Sequence, residues 1–97
     1  MDSADFLAHR EGDDVAVAIR DVEPGAVVVA YLNSDDRVTM TALERIALGH
    51  KVAVHDLESG RDVTEYGGCI GRTYKPVRKG EAVHIHNLRS VRWPRSS

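Results

Sequence analysis

Two histidines separated by a single residue, His84 and His86, are the clearest chemical signal in the sequence. They fall in residues 82–88, where apolar and polar residues alternate as they do in a half-buried β-strand. Residues two apart on a strand point to the same face, with Cβ atoms about 6–7 Å apart. Two imidazoles at that spacing could bind one divalent metal ion or one anionic ligand. The alternative is that both are polar residues on the solvent-facing side of the strand.

A second group of candidates follows Gly49, at the start of a predicted strand. Because Gly can adopt positive φ, the backbone could reverse there and present His50 and Lys51 at a sheet edge, where they could hold a carboxylate or sulfonate. Lys51 could also neutralise the negative charge that develops on an enolate. The alternative is a helix end followed by a solvated strand start. A third metal ligand would have to come from His50, His9, His55 or a carboxylate, although we expect His55 to be a surface residue.

The single cysteine, Cys69, lies in a glycine-rich segment at residues 66–71. One cysteine excludes an intrachain disulfide and a four-cysteine zinc site. The segment lacks the GxxxxGK[ST] pattern of a phosphate-binding loop, and we expect it to be a turn that joins two short strands. Cys69 could be a soft metal ligand or a reactive thiol, but we predict a buried small residue.

These candidates must be positioned mainly by β-strands. Alternation over residues 15–20 predicts a half-buried strand, and residues 26–41 predict a hairpin around a turn at residues 33–36. Residues 51–56 and 82–88 predict two more strands. The only helix candidate is residues 42–48, which end at Gly49.

A short pattern occurs at residues 22–28, 57–63 and 77–83: an apolar residue, two polar or turn residues, Gly, two further residues and Val. In each copy we expect the end of one strand, then a tight turn in which Gly takes positive φ, and then the start of a new strand. The unequal spacing of the copies excludes a solenoid. The sequence therefore predicts a compact all-β domain with at most one short helix.

Length and composition limit what the chain can do alone. Its 97 residues suit one domain and can bury one modest core, but they can hardly enclose a deep pocket as well. If the chain acts in catalysis, another chain must supply most of the site. Apolar residues make up 42% and charged residues 29%, as in globular proteins. No apolar run reaches the roughly 20 residues of a spanning helix and residues 1–10 do not resemble a signal peptide, so we expect a cytoplasmic protein without a membrane partner.

The net charge of −2 hides an uneven distribution. Residues 1–71 carry 6 basic and 14 acidic side chains, whereas residues 72–97 carry 7 basic and 1 acidic. The basic end could be solvated charge on a loose terminus, or it could meet an anion or an acidic partner. Nucleic acid is disfavoured because the acidic remainder would repel a polyanion. Docking onto the acidic surface of a partner, through Arg89, Arg92 and Trp93 with Trp93 as the anchor, is the better use of these residues.

Four phrases, in this order and spacing, resemble a known family. They are HREGDDVAVA at residues 9–18, LGHKVA at residues 48–53, YGGCIG at residues 66–71 and HIHNL at residues 84–88. Together they resemble the SAF-type domain of the altronate and galactarate dehydratases. In some relatives, such as the sulfolactate sulfo-lyases, this domain is a separate small subunit whose end is similar to NLRSVRW at residues 87–93. The chain departs from the family pattern at Asp14, where Asn is usual, and at Cys69, where Pro is usual.

The resemblance implies a β-clip-like SAF domain over residues 8–91, followed by a C-terminal tail at residues 92–97. It also implies a lyase that removes water or sulfite from a small anionic hydroxy acid by β-elimination. Such enzymes commonly use a divalent metal ion, iron or manganese, and a large partner subunit carries much of the active site. The metal belongs to the assembled enzyme and need not be bound by this chain alone.

With the resemblance added, each candidate residue has an expected role. The expected catalytic residues are His84, His86 and His50; the expected substrate-binding residues are Lys51, Asn87 and His9; and His84 and His86 are also the candidate metal ligands. The main alternative is a non-catalytic binding or assembly module of the same fold that recognises an anionic or sugar-acid ligand. Another is a catalytically idle paralogue whose partner has been lost. Self-association into a homo-oligomer is left open.

Overall fold

The computed structural model describes residues 4–65, 68–83 and 88–89. Within these ranges it contains nine β-strands and no helix, which confirms the all-β class. The same part of the chain therefore has no long apolar helix that could cross a membrane. The strands are β1 (Phe6–Ala8), β2 (Val15–Ala18), β3 (Gly25–Tyr31), β4 (Arg37–Ala42), β5 (Lys51–Ala53), β6 (Asp62–Glu65), β7 (Gly68–Thr73), β8 (Ala82–Val83) and β9 (Leu88–Arg89).

The strands form two sheets. Six of them lie in the order β4-β3-β1-β2-β5-β8, and the other three lie in the order β6-β7-β9. β1 runs parallel to β3, whereas all the other ladders are antiparallel. β3 and β4 form the predicted hairpin, paired from Gly25 and Ala42 to Ala30 and Arg37. The two sheets meet where β6 packs beside β2.

The predicted helix at residues 42–48 is wrong, because this segment contains the end of β4, a bend and the start of a turn. Ile46 forms an isolated antiparallel bridge with Val22, with reciprocal N–H···O bonds of 2.8 and 2.9 Å. Gly49 follows with a φ of 87°. Residues 46–52 are therefore a fourth copy of the apolar-x-x-Gly-x-x-Val pattern. Residues that favour a helix adopt an extended backbone here, because Val22, far away in the chain, forms hydrogen bonds with the backbone groups of Ile46.

The four copies pair two by two, and the two pairs share two kinds of hydrogen bond. Leu57 and Val77 form the second bridge, with reciprocal bonds of 2.7 and 2.9 Å. A small buried residue precedes the apolar residue of a copy by four positions. Its carbonyl accepts the N–H of the glycine in the paired copy. Such bonds join Gly49 to Ala18, Gly60 to Thr73 and Gly80 to Ala53, at 2.8–2.9 Å. The fold therefore contains the same arrangement twice: two copies of the pattern cross and are joined by an isolated bridge, which we call a crossing. In the sequence, each copy has a small residue, an apolar residue and a glycine at fixed spacing.

The β2–β5 pair separates two hydrophobic cores. Ala16 and Val52 pack in the larger cluster, whereas Val15 and Ala53, their neighbours in the chain, pack in the smaller one. Successive side chains of a strand point to opposite faces, so each of the two strands presents one face to each core. β2 is therefore buried on both faces, which corrects the prediction of a half-buried strand.

Candidate functional site

A buried carboxylate, Asp14, organises the junction between the two sheets. Asp14 is 1% exposed, and its Oδ2 accepts the N–H of Thr64 at 2.7 Å. The backbone N–H of Asp14 donates to the Thr64 carbonyl at 2.8 Å, and its carbonyl accepts the N–H of Val54 at 3.0 Å. Asp14 thereby fixes the start of β2 to β6 and to the residue that follows β5.

Two basic side chains contact the other oxygen of Asp14. His55 Nε2 lies 2.5 Å from Oδ1, and Arg61 Nη2 lies 2.8 Å from the same atom. A carboxylate oxygen only accepts, so Nε2 of His55 carries the proton in this pair. The side chains of His55 and Arg61 are 42% and 45% exposed, whereas that of Asp14 is 2% exposed.

Sequence reasoning placed His55 at the surface, but it missed the network that holds the ring. One signal was available: Asp13 and Asp14 immediately precede a buried strand. A carboxylate in that position needs donors, because burying an unpaired charge is costly. The identity of those donors is a long-range feature that no local pattern contains.

Lys51 forms a second link between the sheets. Its Nζ lies 3.7 Å from Oε1 of Glu65, with the lysine side chain 34% exposed and the glutamate side chain 14% exposed. Lys51 is the first residue of β5, where it pairs with Val17 on one side and Val83 on the other. A substrate anion at Lys51 would therefore compete with Glu65, a residue that the sequence did not single out.

The sheet register brings His50 next to Lys51 but separates both from His9. His50 is exposed, and its carbonyl accepts the N–H of Ala18 at 2.8 Å. Ala18 pairs with Phe6 at the start of β1, whereas His9 lies past the other end of β1. His9 is therefore about 10 Å further along the strand direction than His50.

Acidic side chains lie in the loop that contains His9 and in the turn between β3 and β4. A hydrogen bond with Asp36, together with its charge, raises the pKa of Glu11 above its usual range. Burial raises the pKa of Tyr31, and the charges of Glu11, Asp13 and Asp36 raise it further. An anionic ligand is therefore favoured less at this end of the molecule than beside Lys51.

Most of the remaining predicted site residues lie outside the described residues: His84, His86, Asn87, Arg92 and Trp93, together with the predicted tail at residues 92–97. Arg89 falls in β9, whose backbone pairs with Arg72 of β7. The last described residue before the histidine pair is Val83, the pairing partner of Lys51. The expected roles of the histidine pair, Asn87, Arg89, Arg92 and Trp93 in catalysis, binding and docking remain predictions.

The described residues do not fit a metal centre. Within residues 4–65, 68–83 and 88–89, no three His, Cys, Asp or Glu side chains come together in a way that could hold a metal ion. His9, His50 and His55 accordingly form no such group with each other or with neighbouring carboxylates in that part of the chain. An iron or manganese ion bound by this chain would need ligands from elsewhere.

Cys69 is exposed, so the prediction of a buried small residue is wrong. It is the second residue of β7, where the β6–β7 ladder shifts register between Val63 and Thr64. Its Sγ lies 3.3 Å from the Gly71 carbonyl. Of the glycine-rich segment predicted to be a turn, residues 68–71 belong to β7 itself, and residues 66–67 lie outside the described residues.

Comparison with known proteins shows the family to which the chain belongs. Residues 4–91 match the family described as "Altronate/galactarate dehydratase SAF domain". The chain is 36% identical over 93 residues to (2R)-sulfolactate sulfo-lyase subunit alpha of Chromohalobacter salexigens, covering 94% of this chain and 99% of that protein. It is 41% identical over 66 residues to the subunit of the same name from Paracoccus pantotrophus, covering 68% and 96%. A 38% identical match to altronate dehydratase of Escherichia coli covers 80% of this chain but 15% of that protein. This chain therefore belongs to the SAF-domain family of the altronate and galactarate dehydratases.

Proposed function

We propose that this chain is the small subunit of a two-component lyase that eliminates water or sulfite from a small anionic hydroxy acid. The observation that carries the proposal is the nearly end-to-end alignment with a protein named as a subunit, over 94% of this chain and 99% of the relative. In the altronate dehydratase of Escherichia coli, the matching region is 15% of the protein, which leaves the rest for an active site. The partner that we propose for this chain is a large dehydratase-like subunit.

The chemistry itself supports a division between two subunits. Elimination β to a carboxylate needs a base for the α-proton, a donor or cation for the enolate, and an acid or metal for the leaving group. A chain of 97 residues can hardly enclose all three. We propose that the large subunit provides most of them, together with the ligands of an iron or manganese ion that would assist the leaving group.

The contribution of this chain is a rim at the His50–Lys51 end of β5. Lys51 pairs with Val83, and His84 is the next residue in the chain. A lysine suits a substrate carboxylate or sulfonate, and imidazoles suit proton transfer or ligand contact. The proposed rim residues are His50, Lys51, His84, His86 and Asn87.

We also propose that the basic end of the chain faces the large subunit. Residues 72–97 carry 7 basic side chains and 1 acidic one, and an acidic surface on the partner would attract them. Arg89, Arg92 and Trp93 are the proposed contacts. An aromatic residue flanked by arginines has the composition of an interface anchor.

Lys51→Met is expected to raise the KM for the substrate at least about tenfold in the assembled enzyme. A hydrogen bond to a charged group contributes about 1.5–3 kcal/mol, and about 1.4 kcal/mol corresponds to a factor of ten in affinity. The free energy of unfolding should fall by less than about 1 kcal/mol, because partly exposed ion pairs contribute little to stability. Steady-state kinetics and chemical denaturation measure the two effects.

Glu65→Gln is the matched control for Lys51→Met. It removes the same 3.7 Å ion pair but keeps the ammonium group, so the KM should stay the same or fall. An unchanged KM in Lys51→Met, or an equal rise in both variants, would mean that Lys51 only links the two sheets.

Replacing both His84 and His86 by Ala should lower kcat at least about tenfold while the subunits still assemble, because proton transfer or ligand contact would be lost. The matched control is the double change of Thr39 and Thr41 to Ala, two exposed residues at the same spacing on β4. Turnover and subunit binding are measured for each complex. Normal turnover in the histidine variant would contradict the proposal that His84 and His86 belong to the active site.

A further inference from the structure

A cationic group around Asp14 is not used by the proposed rim. Oδ1 of Asp14 binds both His55 Nε2 and Arg61 Nη2, and Oδ2 binds the N–H of Thr64. One buried carboxylate thus holds two side chains that can each carry a positive charge. When the imidazole is protonated, the three side chains together have a net charge of +1.

Arg61 keeps donor atoms that Asp14 does not occupy, and Nδ1 of His55 becomes a donor when the imidazole is protonated. In the part of the chain that the structure describes, Nδ1 of His55 and Nε and Nη1 of Arg61 have no hydrogen-bond partner. The 3.5 Å approach of Arg61 Nη2 to His55 Nε2 is not a hydrogen bond, because Nε2 uses its proton on Asp14. Both side chains are almost half exposed, so a solute can reach them.

The acidic side chains of the neighbouring strand β6 are already engaged. Asp62 pairs with Arg72 at 2.8 Å, and Glu65 pairs with Lys51 at 3.7 Å. Neither is therefore available to cancel the charge of +1 that Asp14, His55 and Arg61 carry together when His55 is protonated. Because Asp14 fixes the guanidinium in advance, an oxyanion could accept paired N–H bonds with little further loss of side-chain entropy.

We propose that Arg61 and His55 form a binding site for a small oxyanion, such as a carboxylate, sulfonate or sulfate group. Arg61 donates a pair of parallel N–H bonds from the second proton of Nη2 together with Nη1 or Nε, and the imidazolium form of His55 donates from Nδ1. The site uses other side chains than the rim, because Arg61 and His55 bind Asp14, whereas Lys51 pairs with Glu65. The inference therefore does not depend on lyase activity.

NMR titration of the ¹⁵N-labelled full chain with sodium sulfate, at constant ionic strength, tests this site. We expect saturable shifts at the Arg61 side-chain N–H and the His55 ring, with a Kd in the millimolar range. Arg61→Gln should weaken sulfate binding at least about tenfold. The matched control Arg72→Gln removes the same charge from a neighbouring exposed ion pair, and it should leave the affinity within about twofold.

Three outcomes would overturn the proposal: shifts that do not saturate, shifts of equal size at Arg72, or equal loss of affinity in Arg61→Gln and Arg72→Gln. If Arg61→Gln fails to fold, Arg61→Lys takes its place. Lysine keeps the charge beside Asp14 but loses the forked donors of arginine, so sulfate binding should still weaken. An unchanged affinity in Arg61→Lys would also overturn the proposal.

Discussion

Replacing Asp14 by Ala should lower the free energy of unfolding by about 3 kcal/mol. The change leaves the N–H of Thr64 without its acceptor and separates His55 and Arg61 from the counter-charge that they share. Losing a buried acceptor costs about 1–3 kcal/mol, and breaking a buried ion pair costs about 3–5 kcal/mol. Because the side chains of His55 and Arg61 are almost half exposed, solvent screens their interaction with Asp14, and the combined cost stays near the lower value for an ion pair. Chemical denaturation measures the change.

Asp14→Asn is the matched variant, because its amide oxygen can still accept the N–H of Thr64. Its amide nitrogen then stands in place of the oxygen that bound His55 and Arg61, so the negative charge and both of those bonds are lost. Because both partners are almost half exposed, the expected cost is about 1–2 kcal/mol, below that of Asp14→Ala. A cost below about 1 kcal/mol for Asp14→Ala would mean that the junction between the sheets does not depend on this carboxylate.

Gly80→Ala should cost about 3–4 kcal/mol or prevent folding. Gly80 has a φ of 88°, and a Cβ there would lie 2.0 Å from the carbonyl oxygen of Thr41. That oxygen belongs to the β4 backbone, which is held by the β3–β4 ladder and by the bond from the Leu43 N–H to the Gly80 carbonyl at 2.8 Å. A left-handed backbone costs a non-glycine residue about 1–2 kcal/mol, and overpacking adds about 1–3 kcal/mol.

Gly60→Ala separates the two causes. Gly60 occupies the same position in another copy of the crossing, with a φ of 78°, but a Cβ there meets no atom within 4 Å. The expected cost is therefore about 1–2 kcal/mol, from backbone strain alone. Equal destabilisation by the two variants would contradict the inference that the Gly80 turn is packed tightly against β4.

Local signals suffice for part of this fold. Alternation predicts β2 and β5, the turn at residues 33–36 predicts the β3–β4 hairpin, and the glycine pattern predicts three of the four turns. The fourth copy, at residues 46–52, is not found by local reasoning, because it overlaps residues 42–48, whose Ala, Leu, Glu and Arg residues favour a helix in isolation. The bridge from Ile46 to Val22 decides its structure, and that contact is remote in sequence.

Local sequence patterns likewise predict one part of the candidate site and not the other. The position of His50 and Lys51 at the start of β5 follows from Gly49 and the alternation after it. The partners of Asp14 come from the loop after β5 and from the residue before β6, so only the packing of the two sheets brings them together. The exposure of Cys69 is likewise decided by where β7 meets its neighbours.

The proposal that this chain is a lyase subunit is tested most directly by co-purification with a large dehydratase-like subunit from the same organism. The complex is then assayed for sulfite release from (2R)-sulfolactate and for water loss from altronate, and its iron and manganese content is measured. We predict a stable complex that contains metal and eliminates one of these leaving groups, with no elimination by this chain alone. A chain that stays monomeric beside the large subunit, while the large subunit alone reaches the full rate, would contradict the proposal.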